Sequence, residues 1–279
     1  MSPKVNPLNI EYSVGNAYSI PNYFASDLIS LGEGSSSKGN QPKWATFDGK
    51  LFIKECFNYD GKVRRDDLVE VISSKYASLC TGVSAVQYRK CTVNGRRAVY
   101  SENFLGDNEQ FVSFERLRKA HGTTISPYEK HSAYENYATL CKLFLEYTGI
   151  DLSLYLYKMA LLDFIIANED RHYNNFGVIY NGLTGAYREA PLFDFGLGMF
   201  EHDTIYSTLP YCKAVECING KPFSRKSENV FKLLSANKEL NEVILPKRVV
   251  LSDFEFPSIR AKKLFTERNT MLGVEVQDE

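Results

Sequence analysis

The sequence predicts an α+β chain in two lobes: a small antiparallel sheet with one helix to about residue 105, then a mainly helical lobe over 106–279. Three observations predict it. Asp48-Gly49 and Asn94-Gly95 each sit between apolar runs, the pattern of a β-hairpin turn. A helical stripe lies between these two hairpins. Beyond residue 110 the strand signals give way to long segments of helical periodicity.

Taking the elements in order, residues 1 to about 25 carry Pro3, Pro7 and Pro21 without periodicity and read as an extended lead-in. A small polar stretch follows, Gly32-Glu33-Gly34-Ser35-Ser36-Ser37-Lys38-Gly39-Asn40, with nothing to bury. It feeds a hairpin of Trp44–Phe47 and Lys50–Lys54, because a tight primed turn at Asp48-Gly49 needs positive φ. Over residues 65–81, Leu68, Val71, Ile72, Tyr76 and Leu79 share one helical stripe, with Asp66 as N-cap and Gly82 as the stop. The second hairpin pairs Ala85–Val93 with Arg96–Tyr100.

In the second part, Ser126-Pro127 predicts a helix start and a helix running to about Tyr147. Asp151 caps the next helix, whose apolar face is Leu154, Leu156, Met159, Leu162, Ile165 and Ile166. That helix delivers the chain into Asn168-Glu169-Asp170-Arg171-His172. Strands at Phe176–Tyr180 and Ala190–Phe193 are expected around the turn Asn181–Gly185. Residues from about 225 to 275 alternate helices with loops marked by Pro246 and Pro257.

The bulk numbers describe a packed soluble protein. Of 279 residues, 44% are hydrophobic, 24% charged and 13% aromatic, which argues for a substantial core and against a disordered scaffold. A net charge of −1 provides no global field for nucleic acid or an anionic membrane. The six cysteines show no CxxC and no zinc-ligand spacing, and read as reduced thiols. The N-terminal sequence has no apolar core flanked by basic residues, and the apolar runs are too short to span a bilayer. A cytoplasmic protein is expected, with signal-less secretion also compatible.

The chemistry-bearing residues lie in Asn168-Glu169-Asp170-Arg171-His172-Tyr173-Asn174-Asn175 and in Leu192-Phe193-Asp194-Phe195-Gly196. Phosphoryl transfer needs positioning and charge neutralisation more than covalent chemistry. One carboxylate accepts or orients the proton of the attacking hydroxyl, and a carboxamide with a second carboxylate holds magnesium, a hard cation that prefers oxygen. Asp170 and Asn175 stand five residues apart, the spacing of the catalytic-loop Asp and Asn of protein kinases, and Asp194 heads Asp-Phe-Gly. Asp-Phe-Gly alone is a weak signal; the ordered pair of motifs, about twenty residues apart, is far more specific. Asp163 reads as a buried polar anchor, Asn168 as a backbone brace, and His172 as a structural histidine rather than a metal ligand.

The order Asp-Arg-His-x-x-Asn, leaving an apolar helix through Asn168-x-Asp170, together with Ala190-Pro191-Leu192-Phe193-Asp194, resembles the HipA-like atypical serine/threonine kinases. More distantly it is similar to the phosphoinositide-kinase catalytic loop. The similarity spans roughly residues 30–200. It implies a bilobal protein-kinase-like fold with ATP in the interlobe cleft, ATP and Mg2+ as cofactors, and a protein substrate. It implies that Lys54 binds the ATP phosphates and that a helix acid pairs with it, Glu70 in this mapping, with Asp66 and Asp67 close by. Glu102-Asn103-Phe104 would form the nucleotide hinge. Ser35, Ser36, Ser37 and Lys38 would lie on the phosphate-side loop, where autophosphorylation of one of the three serines switches such enzymes off. The chain departs from the family in having only Gly32, Gly34 and Gly39 in that loop and in being shorter than full HipA toxins. An antitoxin or DNA partner is correspondingly less expected than a stand-alone kinase. A nucleotide-binding pseudokinase and a lipid or small-molecule kinase are the alternative readings.

Overall fold

The computed structural model describes residues 11–12, 20–31, 41–59, 62–125, 130–201 and 204–278. They fall into two compact units, one drawn from Met1–Asp67 and Gln87–Asn103, the other from Leu68–Val86 and Phe104–Glu279.

The first unit is built on a sheet of β1 (Glu11–Tyr12), β2 (Pro21–Tyr23), β3 (Ile29–Ser30), β4 (Lys43–Ala45), β5 (Leu51–Glu55), β8 (Arg89–Val93) and β9 (Arg96–Glu102). Their order is β1-β2-β8-β9-β5-β4-β3, antiparallel except for the parallel pair β2–β8. A small ladder of β6 (Asn58–Tyr59) and β7 (Lys62–Val63) stands apart from it. Alternation decides which side chains are buried. Ile53, Cys91, Val93 and Ala98 form one core with Tyr23 and Leu28, and Leu51, Trp44 and Tyr100 pack against it.

Both predicted hairpins form, with different turns. Asn94 and Gly95 have φ of 49° and 75°, and Val93 pairs directly with Arg96, giving a two-residue primed turn. At Asp48-Gly49 the loop is longer: Thr46 N–H donates to the Leu51 carbonyl, and only Gly49 has positive φ. The Asp48 carboxylate explains the wider loop. It accepts the Thr46 hydroxyl at 2.6 Å and the Lys50 amide at 3.1 Å, so Asp48 braces the turn with its side chain instead of occupying a left-handed position.

The second unit contains most of α1 (Asp66–Leu79), together with α2 (Phe114–Ala120), α3 (Ala133–Thr148), α4 (Ser153–Ile166), α5 (Tyr211–Cys217), α6 (Ser227–Ser235), α7 (Lys238–Ile244) and α8 (Ile259–Met271). A sheet of β10 (Glu109–Ser113), β11 (Gly177–Asn181) and β12 (Tyr187–Glu189), in the order β10-β11-β12, and a parallel pair of β13 (Arg248–Val250) and β14 (Glu275–Gln277) complete it. α4 is the central element. Leu156, Met159, Ala160, Leu161, Leu162, Ile165 and Ile166 are all at most 2% exposed, and from Met159 to Ile166 every residue is buried, so this part of the helix is enclosed on every side; Leu154, expected on the apolar face, is instead 46% exposed in the first turn. Asp151 accepts the Ser153 amide at 2.8 Å and opens it, and Ala167, at φ 55°, closes it in a left-handed turn.

Two expectations are corrected. The third helix starts at Ala133, where Ser132 and Glu135 form a reciprocal capping box; Ser126-Pro127 lies outside the described residues. Ala190–Phe193 is not a strand. Among the described residues its β pairing is an isolated parallel bridge of Leu192 to Ala85, and the strand after the Asn181–Gly185 turn is Tyr187–Glu189. Pro191 has no amide to extend the ladder, and the Leu192 amide and carbonyl are taken by Ser84 and Val86. The six cysteines are free thiols, and burial pushes those of Cys80 and Cys91 up to about 12. Among the described residues no helix is long and apolar enough to cross a membrane.

Gly177 is fixed by close approach. A Cβ there would stand 2.2 Å from the Val112 carbonyl oxygen and 2.8 Å from the Ser113 Cα across the β10–β11 pair. Gly177→Ala is therefore expected to destabilise the chain by about 1–3 kcal/mol. A urea midpoint unchanged from wild type would contradict this.

Candidate active site

The loop after α4 is organised by a buried arginine. Arg171 is 0% exposed, and its Nε and Nη2 donate to the Asp163 carboxylate on α4 at 2.8 and 2.9 Å. The third nitrogen, Nη1, donates to the Asn175 carbonyl at 2.8 Å and to the Phe193 carbonyl at 2.5 Å. One side chain thus joins α4, the turn ending at Asn175, and the residue before Asp194. The Phe195 ring lies beneath the guanidinium, its centroid 5.3 Å from Cζ. Burial alone would disfavour the charge, but the Asp163 carboxylate outweighs it and holds Arg171 above its ordinary range.

The remaining loop bonds set Asp170 and Asn175. Asn168 donates to Asp163 at 2.9 Å and accepts the Asp170 amide at 3.2 Å, the backbone brace its position predicts. The Asp170 carbonyl accepts the His172 amide at 2.7 Å and the Asn175 Nδ2 at 3.1 Å. His172 Nδ1 accepts the Asn174 amide at 3.3 Å, and its Nε2 lies 3.8 Å from the Asp170 carboxylate. The Asp170 side chain is 32% exposed, whereas Asn175 is buried. With its Nδ2 committed to Asp170, Asn175 has its Oδ1 left as an acceptor without a partner among the described residues.

Asp194 adopts φ 59°, a left-handed position that Asp tolerates better than most residues. The following residue is held from α1, where the Glu70 carboxylate, 1% exposed, accepts the Phe195 amide at 2.8 Å. Further on, Gly198 packs over the end of α4, since a Cβ would come within 2.7 Å of the Ile166 carbonyl, and the Met199 amide donates to that carbonyl at 2.8 Å. Asp170, Asn175, Asp194 and Glu70 therefore belong to one hydrogen-bonded neighbourhood of the second unit. Phe104 is in this unit as well, stacked on Phe193 at 6.1 Å and edge-on to Phe111 at 6.3 Å.

The first unit carries Lys54, Glu102 and Asn103. Lys54 is on β5, half-buried, and its charge favours the ionised form of Asp66, whose pKa is nonetheless raised because burial dominates. Glu102 ends β9 with its side chain exposed, 3.9 Å from Arg89. Asn103 donates through its amide to the Lys50 carbonyl at 2.7 Å and through Nδ2 to the Gly49 carbonyl at 3.1 Å. Ser35, Ser36, Ser37 and Lys38 lie outside the described residues.

The donor set fits magnesium. Among the described residues no group of three or more His, Cys, Asp or Glu is arranged to hold an ion. Magnesium needs fewer, since it binds through one or two protein oxygens with phosphates and water completing the octahedron. The Asn175 Oδ1 and the Asp194 carboxylate are oxygens of that kind. Sequence reasoning missed Arg171 as the organiser. The available signal was an acid inside an apolar helix, Asp163, followed eight residues later by an arginine.

Removing one member of the Asp163–Arg171 pair leaves the other charge buried. Arg171→Ala and Asp163→Ala are each expected to cost about 3–5 kcal/mol, whereas Asp163→Leu combined with Arg171→Met restores much of that loss. Denaturation of the three variants checks this; single-variant losses below about 1 kcal/mol would mean that the pair is not a structural anchor.

No protein-family model matches the chain, and no curated protein matches it. The chain is similar to a number of solved structures, including these two. One is the crystal structure of the Helicobacter pylori proinflammatory kinase CtkA, with a TM-score of 0.60 and 12% identity over 90% of this chain and 94% of that one. The other is a Shewanella oneidensis MR-1 toxin–antitoxin complex of HipA, HipB and operator DNA, with a TM-score of 0.43 and 13% identity over 87% of this chain and 65% of that one. At such identity the CtkA likeness speaks to the fold, which is the one the motif resemblance implies. The chain has a kinase-like α+β fold similar to that of CtkA.

Proposed function

We propose that this chain is an ATP- and Mg2+-dependent phosphotransferase with a hydroxyl acceptor, a protein serine or threonine being the acceptor that the HipA-like resemblance implies. The reading is carried by one observation: Arg171 fastens the Asn175 carbonyl and the Phe193 carbonyl to one guanidinium, so the two motifs separated in sequence are joined in space. In this reading Asp170 takes or orients the hydroxyl proton. Its carboxylate is partly exposed while its backbone is braced by Asn168 and Asn175, which suits a base that a substrate must reach. Asn175 Oδ1 and Asp194 hold the metal. Magnesium bound there supplies neutralisation of the phosphate charge.

Asn175 contributes only through Oδ1, because its Nδ2 is spent in fixing the loop. Glu70 keeps the Asp-Phe-Gly backbone in place from α1, and the resemblance additionally assigns it as the partner of Lys54. Lys54 takes the nucleotide phosphates, and Glu102, Asn103 and Phe104 the adenine. The loop bearing Ser35, Ser36, Ser37 and Lys38 would contact phosphate and, by the same resemblance, accept it.

The test is transfer of label from γ-labelled ATP to protein, lipid and small-molecule panels. Asp170→Ala is expected to lower transfer by at least about 100-fold. Asp194→Asn, which keeps a residue tolerant of positive φ, is expected to do the same with an unchanged thermal midpoint. Undiminished transfer by both variants would refute the assignment. Mass spectrometry of wild type after incubation with ATP and Mg2+ should find phosphate on the Ser35–Ser37 loop, and none in Asp170→Ala.

A further inference from the structure

The strongest unexplained feature lies away from this loop, on α8. Arg260 is its second residue, and its guanidinium lies over two aromatic rings, 5.6 Å from the Phe200 centroid and 5.9 Å from that of Tyr211. Its Nε and Nη2 are buried, and neither has a hydrogen-bond partner among the described residues. These two nitrogens form the side-on edge that grips an oxyanion with two parallel hydrogen bonds. The protein itself shows what that edge is for. Arg118 uses Nε and Nη2 on Glu115, Arg171 uses them on Asp163, and Arg188 uses them on Glu109. Arg260 presents the same fork, shielded from solvent and held on its aromatic rings, to no carboxylate among the described residues.

The first turn of α8 has no acid and carries Arg260 and Lys262, with Lys263 next, against the helix dipole. Lys262 is paired with Asp278 at 2.8 Å and Lys263 with Glu267 at 3.8 Å, and Glu267 also accepts the Tyr211 hydroxyl at 2.5 Å. The Lys263 ammonium lies 4.3 Å from the Tyr211 centroid, so of the two cations on that ring it is Arg260 whose donors are unmatched among the described residues. Phe200 also packs on Tyr206, at 5.5 Å, and Tyr206 belongs to the 3-10 turn Thr204–Ser207. Ser207 ends that turn and Thr208 follows it, both exposed, with the Thr208 hydroxyl donating to the Ile205 carbonyl at 2.8 Å.

We propose that the Nε/Nη2 edge of Arg260 is a receptor for a phosphate group, either free or esterified to Ser207 or Thr208. Esterification forms a bond between the hydroxyl oxygen and the γ-phosphorus of a nucleoside triphosphate, releases the diphosphate, and passes the hydroxyl proton to a base or to solvent. The receptor does not depend on the transfer reading, because another enzyme can install the ester. Its consequence would reach the catalytic loop: Tyr206, on the same turn, donates its hydroxyl to Glu169 at 2.7 Å, next to Asp170.

The test uses the full chain, treated with phosphatase and checked by mass spectrometry. Inorganic phosphate is titrated at constant ionic strength, with chloride as control, while the thermal midpoint is followed. A saturable rise in wild type, retained in Ser207→Ala/Thr208→Ala and absent in Arg260→Gln, supports a receptor for free phosphate. In the second arm, chain carrying phosphoserine at 207 or phosphothreonine at 208 is compared with unmodified chain. A raised midpoint that no longer responds to inorganic phosphate, and that Arg260→Gln abolishes, supports the ester. Arg260→Lys keeps a charge on the rings but loses the fork, so it covers the case in which Arg260→Gln does not fold; about tenfold weaker phosphate affinity is expected. No response in either arm, or the same response in wild type and in the Arg260 variants, overturns the proposal.

Discussion

The second unit depends on a single buried guanidinium. Every donor direction of Arg171 that the loop requires is used: two nitrogens on Asp163 and the third shared between the carbonyls of Asn175 and Phe193. An ion pair so deeply buried contributes little net stability compared with apolar side chains of the same volume, because both partners lose their hydration. Its effect is geometric. A carbonyl has no preferred partner at long range, and a hydrophobic residue at 171 would satisfy neither carbonyl nor define their separation. With arginine there, the ends of the two motifs are fixed relative to α4, whose second half is itself immobilised by burial on all sides.

Two further fastenings act on the same stretch of chain from other directions. Glu70 holds the Phe195 amide from α1, and the Ile166 carbonyl at the end of α4 accepts the Met199 amide over a glycine that leaves no room for a side chain. At and beside them the backbone takes up positive φ, at Asp194 and again at Met199 and Phe200. Residues in such conformations persist where their surroundings over-determine them. Here the determinants are visible as hydrogen bonds on both flanks of Asp194.

How much of this was legible beforehand depends on the range of the forces involved. The Asn94-Gly95 turn and the helices α1 and α4 follow local patterns, and each forms where its pattern lies, although Leu79 and Leu154, placed by periodicity on the apolar stripes, are 44% and 46% exposed near the helix ends. The error at Ala190–Phe193 came from the same local reasoning: the segment is apolar and short like a strand, but the Leu192 hydrogen bonds go to Ser84 and Val86, over a hundred residues earlier in sequence, and the Phe193 carbonyl goes to Arg171. The Asp48 loop differed because a side chain, not a backbone preference, set its length. Within the candidate site, the acids and the carboxamide were readable from spacing, since their chemistry limits the residue types allowed. Arg171 was not, because its role consists of contacts with two carbonyls, and carbonyls leave no trace in sequence.

The four residues 168–171 show why exposure at one of them matters. Asn168 and Glu169 are each 2% exposed and Arg171 0%, and all three are occupied in holding other parts of the unit. Asn168 and Arg171 meet Asp163. Glu169 accepts the Tyr206 hydroxyl and both the amide and the side chain of Asn219 on one carboxylate oxygen, beside Arg268, whose burial lowers it to about 10 while Glu169 opposes the shift. At neutral pH that arginine stays charged, so the acid before Asp170 is matched by a cation within the core. Asp170 alone among the four presents its carboxylate to solvent, with its backbone tied on both sides. A solvated loop acid needs no such support, because water satisfies it in any conformation. Three buried anchors around one accessible carboxylate instead fix the backbone from which it projects, which suits the proton-handling role proposed for it.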